Sequence, residues 1–191
     1  MGAHMNAARD YYASLSAALA EGPPPELDDA AAILHDAVQA GNAIYTFGNG
    51  ASAALASHIA TDYGKSLSKH GRVRIASLVD NAALLTAYAN DENYECIFAV
   101  QLRVLARRGD VALGISGSGT SANVIEAFEQ ARSDGARTIG LTGSMPGSER
   151  LDACCDIVVR APLQAIEQIE DMHVVFGHVL MHLLAERLQA Q

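Results

Sequence analysis

Five short, largely apolar stretches, separated by helix-forming segments, constrain this 191-residue chain more than any other feature. They are Ala43–Phe47, Val73–Leu78, Asp110–Ile115, Thr138–Thr142 and Asp156–Val159. A strand with one face in water alternates polar and apolar side chains, whereas a strand covered on both faces has no need to. The segments between them predict helices after the first strand and over 82–88, 94–105, 121–133 and 166–188. This alternation predicts a doubly wound parallel sheet between two helical layers, an α/β three-layer αβα sandwich of the flavodoxin-like kind.

Two further helices precede the first strand. Tyr12, Leu15 and Leu19 mark one across residues 6–20, broken by Gly22-Pro23-Pro24-Pro25. Leu27, Ala31, Leu34 and Val38 mark another across Glu26–Ala40, which Gly41-Asn42 stops. With no linker or internal repeat, residues 6–191 read as one domain, with N-terminal helices over 6–41 and an α/β core over 43–188. Met1-Gly2-Ala3-His4 reads as an expression scar and is set aside.

Charge narrows the partners. The net charge is −9, the chain has no Trp, and Arg107-Arg108 is its longest Lys/Arg cluster. Nucleic-acid binding calls for a basic stripe, which this sequence lacks. No apolar run approaches the roughly 20 residues of a membrane helix, and no secretory leader is recognisable, so a cytoplasmic protein without membrane contact is expected. Cys96, Cys154 and Cys155 are odd in number and lack metal-ligand spacing, which fits reduced thiols used as small apolar residues.

Ligands of open parallel sheets bind beyond the carboxyl ends of the strands. Two strand-end loops here are rich in Gly and Ser: Gly48-Asn49-Gly50-Ala51-Ser52 and Ser116-Gly117-Ser118-Gly119-Thr120-Ser121. Each runs into a helix, where exposed N–H groups and the helix dipole favour an anion. Either could also be an ordinary turn and N-cap. Neither matches a P-loop or a complete dinucleotide fingerprint. Together they point to a small phosphorylated ligand, which needs local N–H groups and hydroxyls rather than a basic surface.

Titratable residues gather on two helices. His58 and Asp62 stand four apart on the helix after the first loop and share a face. On the last helix, Glu167, Asp171 and His178 fall near one line, with Glu170 about 80° round from His178. A His/acid pair on each helix could bind Zn²⁺ or supply an acid and a base. Such residues are also common as surface pairs, which is how His35, His70 and His182 read.

Taken together, these motifs resemble the SIS (sugar isomerase) domain family, and within it the phosphoheptose isomerases. The resemblance spans about residues 25–188. It rests on Gly48–Ala54 with His58, on Leu85–Asp91, on Gly109-Asp110-Val111 leading into Ser116–Ser121, on Leu141-Thr142-Gly143, and on His173 and His178 in the last helix. It implies a five-stranded parallel sheet and a homotetramer with active sites between subunits, in which the N-terminal helices pack. By resemblance, Gly50, Ser52, Ser116, Gly117, Ser118 and Ser121 line the phosphate site. Asn49 and Asp91 contact the sugar or order the site, with Glu167 and Glu170 beside the substrate. Asp62 and His178 exchange protons, and some members bind zinc at the positions of His58, Asp62, Glu170 and His178.

The chain departs from the family's pattern at Asp62 (Glu expected), Glu170 (Gln expected), Glu167 (Asp usual) and Gly117 (Thr usual). The implied reaction is aldose–ketose isomerisation of sedoheptulose 7-phosphate through an enediol, with zinc assisting. Two alternatives stay open. One is another ketose phosphate, an octulose or pentulose phosphate. The other is a non-catalytic scaffold of the kind that binds the bacterial replication initiator.

Overall fold

A computed structural model describes residues 2–190, with side chains over 6–190. Helix α1 (Gly2–Ala20) comes first, followed by α2 (Glu26–Gln39). Then come β1 (Ala43–Gly48), α3 (Ala51–Ser66), β2 (Arg74–Ser77), α4 (Ala82–Asp91), α5 (Ala99–Leu105) and β3 (Val111–Ile115). The chain continues through α6 (Ala122–Ser133), β4 (Arg137–Thr142), β5 (Ile157–Arg160) and α7 (Ile166–Gln189). Of the tetrapeptide set aside as a scar, Met1 and the side chain of His4 lie outside the described residues.

The strands form one all-parallel sheet in the order β2-β1-β3-β4-β5. Every residue of β1 and β3 is buried, whereas the edge strands β2 and β5 are partly open. Each face has its own apolar layer. Ile44, Val111, Leu113, Ile139 and Leu141 point into the layer shared with α2, α3 and α7, built around Leu34, Ile59 and Phe176. Tyr45, Phe47 and Ala112 point into the layer under α5 and α6, built around Phe98 and Phe128. Gly114 and Gly140 pair across β3 and β4, and a Cβ on Gly114 would lie 2.5 Å from the Phe128 ring. Gly114 therefore makes room for the tilted Phe47 and Phe128 rings, and Gly140 for the Cys155 thiol.

One buried carboxylate sets the strand starts. Asp110 accepts from the backbone N–H groups of Ala43 (2.7 Å) and Arg107 (2.8 Å), tying the beginnings of β1 and β3 together. The helix expected from Tyr94 begins instead at Ala99. Asn93 accepts from the Cys96 N–H through its side chain (2.9 Å), a local turn that competes with helix formation. Helix α4 runs on to Asp91, past the expected end at Tyr88.

Strand order reverses between β1 and β3, the switch point at which ligands of such sheets bind. Both glycine–serine loops leave these two neighbouring strands, whose ends pair Gly48 with Ile115. A Cβ on Gly48 would lie 2.8 Å from both the Ile115 carbonyl oxygen and Ser52 Cβ, so only glycine lets the first loop turn into α3 here.

Candidate active site

The second loop is held by its own hydroxyls. Ser116 Oγ donates to Ser121 Oγ (3.0 Å) and accepts from the Gly119 N–H (3.1 Å). Ser118 and Thr120 hydroxyls lie 3.0 Å apart. Gly119 adopts φ +69°, a left-handed turn that suits glycine. Ser121 occupies the N-cap position of α6 without its side chain capping the helix. At the start of α3, Gly50 takes the same position with φ +56° and has no side chain to cap with. Two helix N-termini thus meet the switch point without side-chain caps, the arrangement that suits an oxyanion. Ser52 and Ser116 are nearly buried, and Ser118 and Ser121 half-buried. A Cβ on Gly117 would collide with the Ile166 side chain, which fills the space a larger residue at 117 would need.

The first loop is fixed through Asn49. Its amide pairs reciprocally with buried Asn123 of α6 (2.8 and 2.9 Å), and Tyr94 Oη donates to Asn49 Oδ1 at 2.9 Å. Asn49 lines a cleft of about 400 Å³ with Gly50, Thr86, Tyr94 and Phe98. Sequence reasoning passed over Asn123 and Tyr94. The one signal for Asn123 was a polar residue on the otherwise apolar inward face of α6. Asp91 lies exposed at the end of α4, where it accepts from Asn90 (2.8 Å), and does not line this cleft.

Three of the titratable residues converge. The Nε2 atoms of His58 and His178 lie 3.0 Å apart, and Asp62 Oδ2 stands 3.3 Å from the first and 3.5 Å from the second. A tetrahedral Zn²⁺ with bonds of about 2.0–2.1 Å separates its ligand atoms by roughly 3.3 Å, so this spacing fits a metal. The trio is partly open to solvent, as a site that admits a ligand requires.

The convergence is built by helix packing. Tyr63, next to Asp62, is fully buried and donates its phenol to the Gly177 carbonyl, next to His178, at 2.9 Å. Burial pushes the Tyr63 phenol far above its usual range, so it remains a donor. A Cβ on Gly177 would lie 3.2 Å from Ile59, which shows how closely α3 and α7 approach.

Glu170, expected as a fourth ligand, does not join the trio. It sits eight residues, or about two turns, before His178, about 12 Å along the helix axis. It lines a small cavity of about 110 Å³ with Ser52, Asp171 and His173. Glu167 is exposed on the first turn of α7. Asp171 accepts from Tyr11 Oη of α1 at 2.6 Å, which raises the phenol to about 12. His173 is buried with neither ring nitrogen within hydrogen-bond geometry of a partner. Burial pushes it down to about 4, with the Thr142 backbone pulling weakly the other way.

Among the described residues, no helix is long and apolar enough to cross a membrane. The SIS domain family matches residues 9–143. The phosphoheptose isomerase of Rhodospirillum rubrum is 37% identical over 165 residues, covering 86% of this chain and 87% of that one. That of Nitratiruptor is 43% identical over 141 residues, covering 73% and 74%. A solved phosphoheptose isomerase from Francisella tularensis superposes with a TM-score of 0.87 at 26% identity, covering 96% of this chain and 98% of that one. This chain therefore belongs to the SIS domain family, in its phosphoheptose isomerase branch, and is an aldose–ketose isomerase.

Proposed function

We propose that the chain interconverts sedoheptulose 7-phosphate and D-glycero-D-manno-heptose 7-phosphate. The convergence of His58, Asp62 and His178 beside a phosphate-suited switch point is the observation that carries this reading. The phosphate sits on Ser52, Ser116, Ser118 and Ser121, at the N-termini of α3 and α6. His58 lies six residues beyond Ser52, about 9 Å of helix axis, and Asp62 about 6 Å further. With carbon–carbon bonds of about 1.5 Å, an extended seven-carbon chain with its phosphate ester spans roughly 10 Å and reaches the level of His58, the near edge of the trio, whereas a three-carbon one falls short.

The chemistry is a balanced pair of proton transfers. The Asp62 carboxylate removes a proton from C1 of the ketose while the His178 imidazole protonates the C2 oxygen, giving the enediol. Removal of the proton from the C1 oxygen and return of a proton to C2 completes the aldose, with no net gain or loss. The cleft around Asn49 takes the sugar hydroxyls. Zn²⁺ fits His58, Asp62 and His178, and when bound it would polarise the carbonyl and stabilise developing negative charge. Glu167 and Glu170 border the substrate, Glu170 through the cavity it shares with Ser52.

We read residues 6–191 as one domain of a cytoplasmic homotetramer with active sites between subunits. Three free cysteines support a reducing compartment. The exposed apolar side chains Tyr12, Leu19 and Val174 on α1 and α7 support an interface there.

The test is turnover of a panel of ketose phosphates with and without added Zn²⁺. Sedoheptulose 7-phosphate should be preferred, with activity lost in Asp62→Ala/His178→Ala. Full activity in that double variant would overturn the proton-transfer roles, and preference for an octulose or pentulose phosphate would overturn the substrate.

A further inference from the structure

Arg160 ends β5, on the far side of the sheet from the first loop. Its Nη1 donates to the Gly143 carbonyl (3.1 Å) and to Ser148 Oγ (2.7 Å), and its Nη2 donates to Asp152 Oδ1 (2.7 Å). Each of the first two contacts leads to the serine loop. The Gly143 N–H donates to the Gly117 carbonyl (3.0 Å), so the residue that Arg160 holds by its carbonyl holds the loop by its N–H. Ser148 is buried against Gly119: a Cβ there would lie 2.6 Å from Ser148 Cα and 2.9 Å from its carbonyl oxygen.

Two neighbouring segments thus press on Gly117 and Gly119, the residues flanking Ser118, and one guanidinium joins them. Arg is suited to this because its planar fork presents several donors in fixed directions. The side chain is largely covered, and Asp152 completes its contacts.

We propose that Arg160 is a positioning residue for phosphate recognition. By clamping Gly143 and Ser148 it fixes the curvature of the Gly117–Gly119 turn, and hence the directions of the Ser116, Ser118 and Ser121 donors. It acts through the loop and takes no part in proton transfer. The proposal rests on the reading of that loop as the phosphate site.

The test measures inorganic phosphate binding by titration calorimetry, and KM and kcat with sedoheptulose 7-phosphate, for Arg160→Met, Arg160→Lys, Ser148→Ala and Ser118→Ala. Arg160→Met should weaken phosphate binding and raise KM by about ten-fold, with kcat within about two-fold. Arg160→Lys, which keeps a donor but loses the fork, should fall between it and the parent. A folded Arg160→Met with unchanged phosphate affinity, or with kcat lowered and KM unchanged, would overturn the proposal. If Arg160→Met does not fold, Ser148→Ala and Arg160→Lys decide by the same constants. Ser118→Ala separates the two layers. Unchanged phosphate binding in that variant removes the phosphate-loop reading itself. Weakened binding there with parental values in Arg160→Met and Ser148→Ala removes the clamp alone.

Discussion

The Tyr63 phenol reaches across from α3 to the Gly177 carbonyl of α7 at 2.9 Å, and each residue adjoins a member of the His58/Asp62/His178 trio. The bond acts as a spacer between the helices that carry Asp62 and His178. Tyr63→Phe keeps the ring and removes the bond. It should cost about 1 kcal/mol of stability. It should also lower kcat by roughly ten-fold, because small displacements of reacting groups are expensive. Denaturant midpoints and steady-state kinetics on one preparation check both.

Asp62→Glu places the residue expected from the family at this position, yet it should impair this protein. Asp62 Oδ2 already lies 3.3 and 3.5 Å from the two imidazole nitrogens, and an added methylene overshoots them. We expect kcat/KM to fall by about ten-fold. A gain in activity would mean that α3 and α7 separate further in the working enzyme.

Zinc affinity should follow the trio and not Glu170. Replacing His58 or His178 with Ala should weaken binding by on the order of 100-fold or more, because losing a ligand exceeds the 10–100-fold effect of losing a ligand's supporting partner. Glu170→Ala should stay within about two-fold of the parent. Competition with a chelating dye reads these affinities independently of turnover, and equal losses in all three variants would place Glu170 among the ligands.

His173 should make stability fall in mild acid. Its folded-state value of about 4 lies below the ordinary 6.5, so between those limits the unfolded chain binds more protons than the folded one. Stability therefore rises with pH across that window and is lost as pH falls through it, by at most about 3 kcal/mol. His173→Phe should flatten this part of the profile in urea titrations between pH 4 and 7. A slope that persists unchanged would assign it to other groups.

Asn123→Ala should act on binding. It leaves half of the reciprocal amide pair with Asn49 unmatched beside the cleft. A loss of about 1–3 kcal/mol of stability is expected, together with a raised KM, since Asn49 is then free to turn away. Parental KM in a destabilised variant would confine Asn123 to a structural role.

The sheet and its helices were legible because strands such as Ile44–Phe47 and Val111–Ile115 are apolar without alternation, and that pattern has few solutions. The glycine–serine loops were legible because a turn ending in a helix has a local signature. The clustering of His58 and Asp62 with His178 followed from helical spacing and family likeness together. What the sequence could not show was depth and reach. Glu170 shares a helix with His178 but not its neighbourhood, and Asn93 stops a helix that periodicity alone would start at Tyr94. Arg160 and Ser148 escaped notice because the line of contacts from β5 through Gly143 and Ser148 to the loop joins residues far apart in the chain, and distant pairings leave no mark in local spacing.

The hydrogen-bonded register of Gly48 with Ile115 has a consequence for how such a protein can change its substrate. Both loops hang from one ladder, and Gly48 lets α3 start in contact with the strand beside it. On the proposed reading, the distance from phosphate handle to reacting carbons is then set by the fold itself. Retuning it would mean altering the length of side chains at the far mark rather than moving the backbone, and position 62, where an aspartate stands one methylene short of the family's glutamate, is where such a change would act.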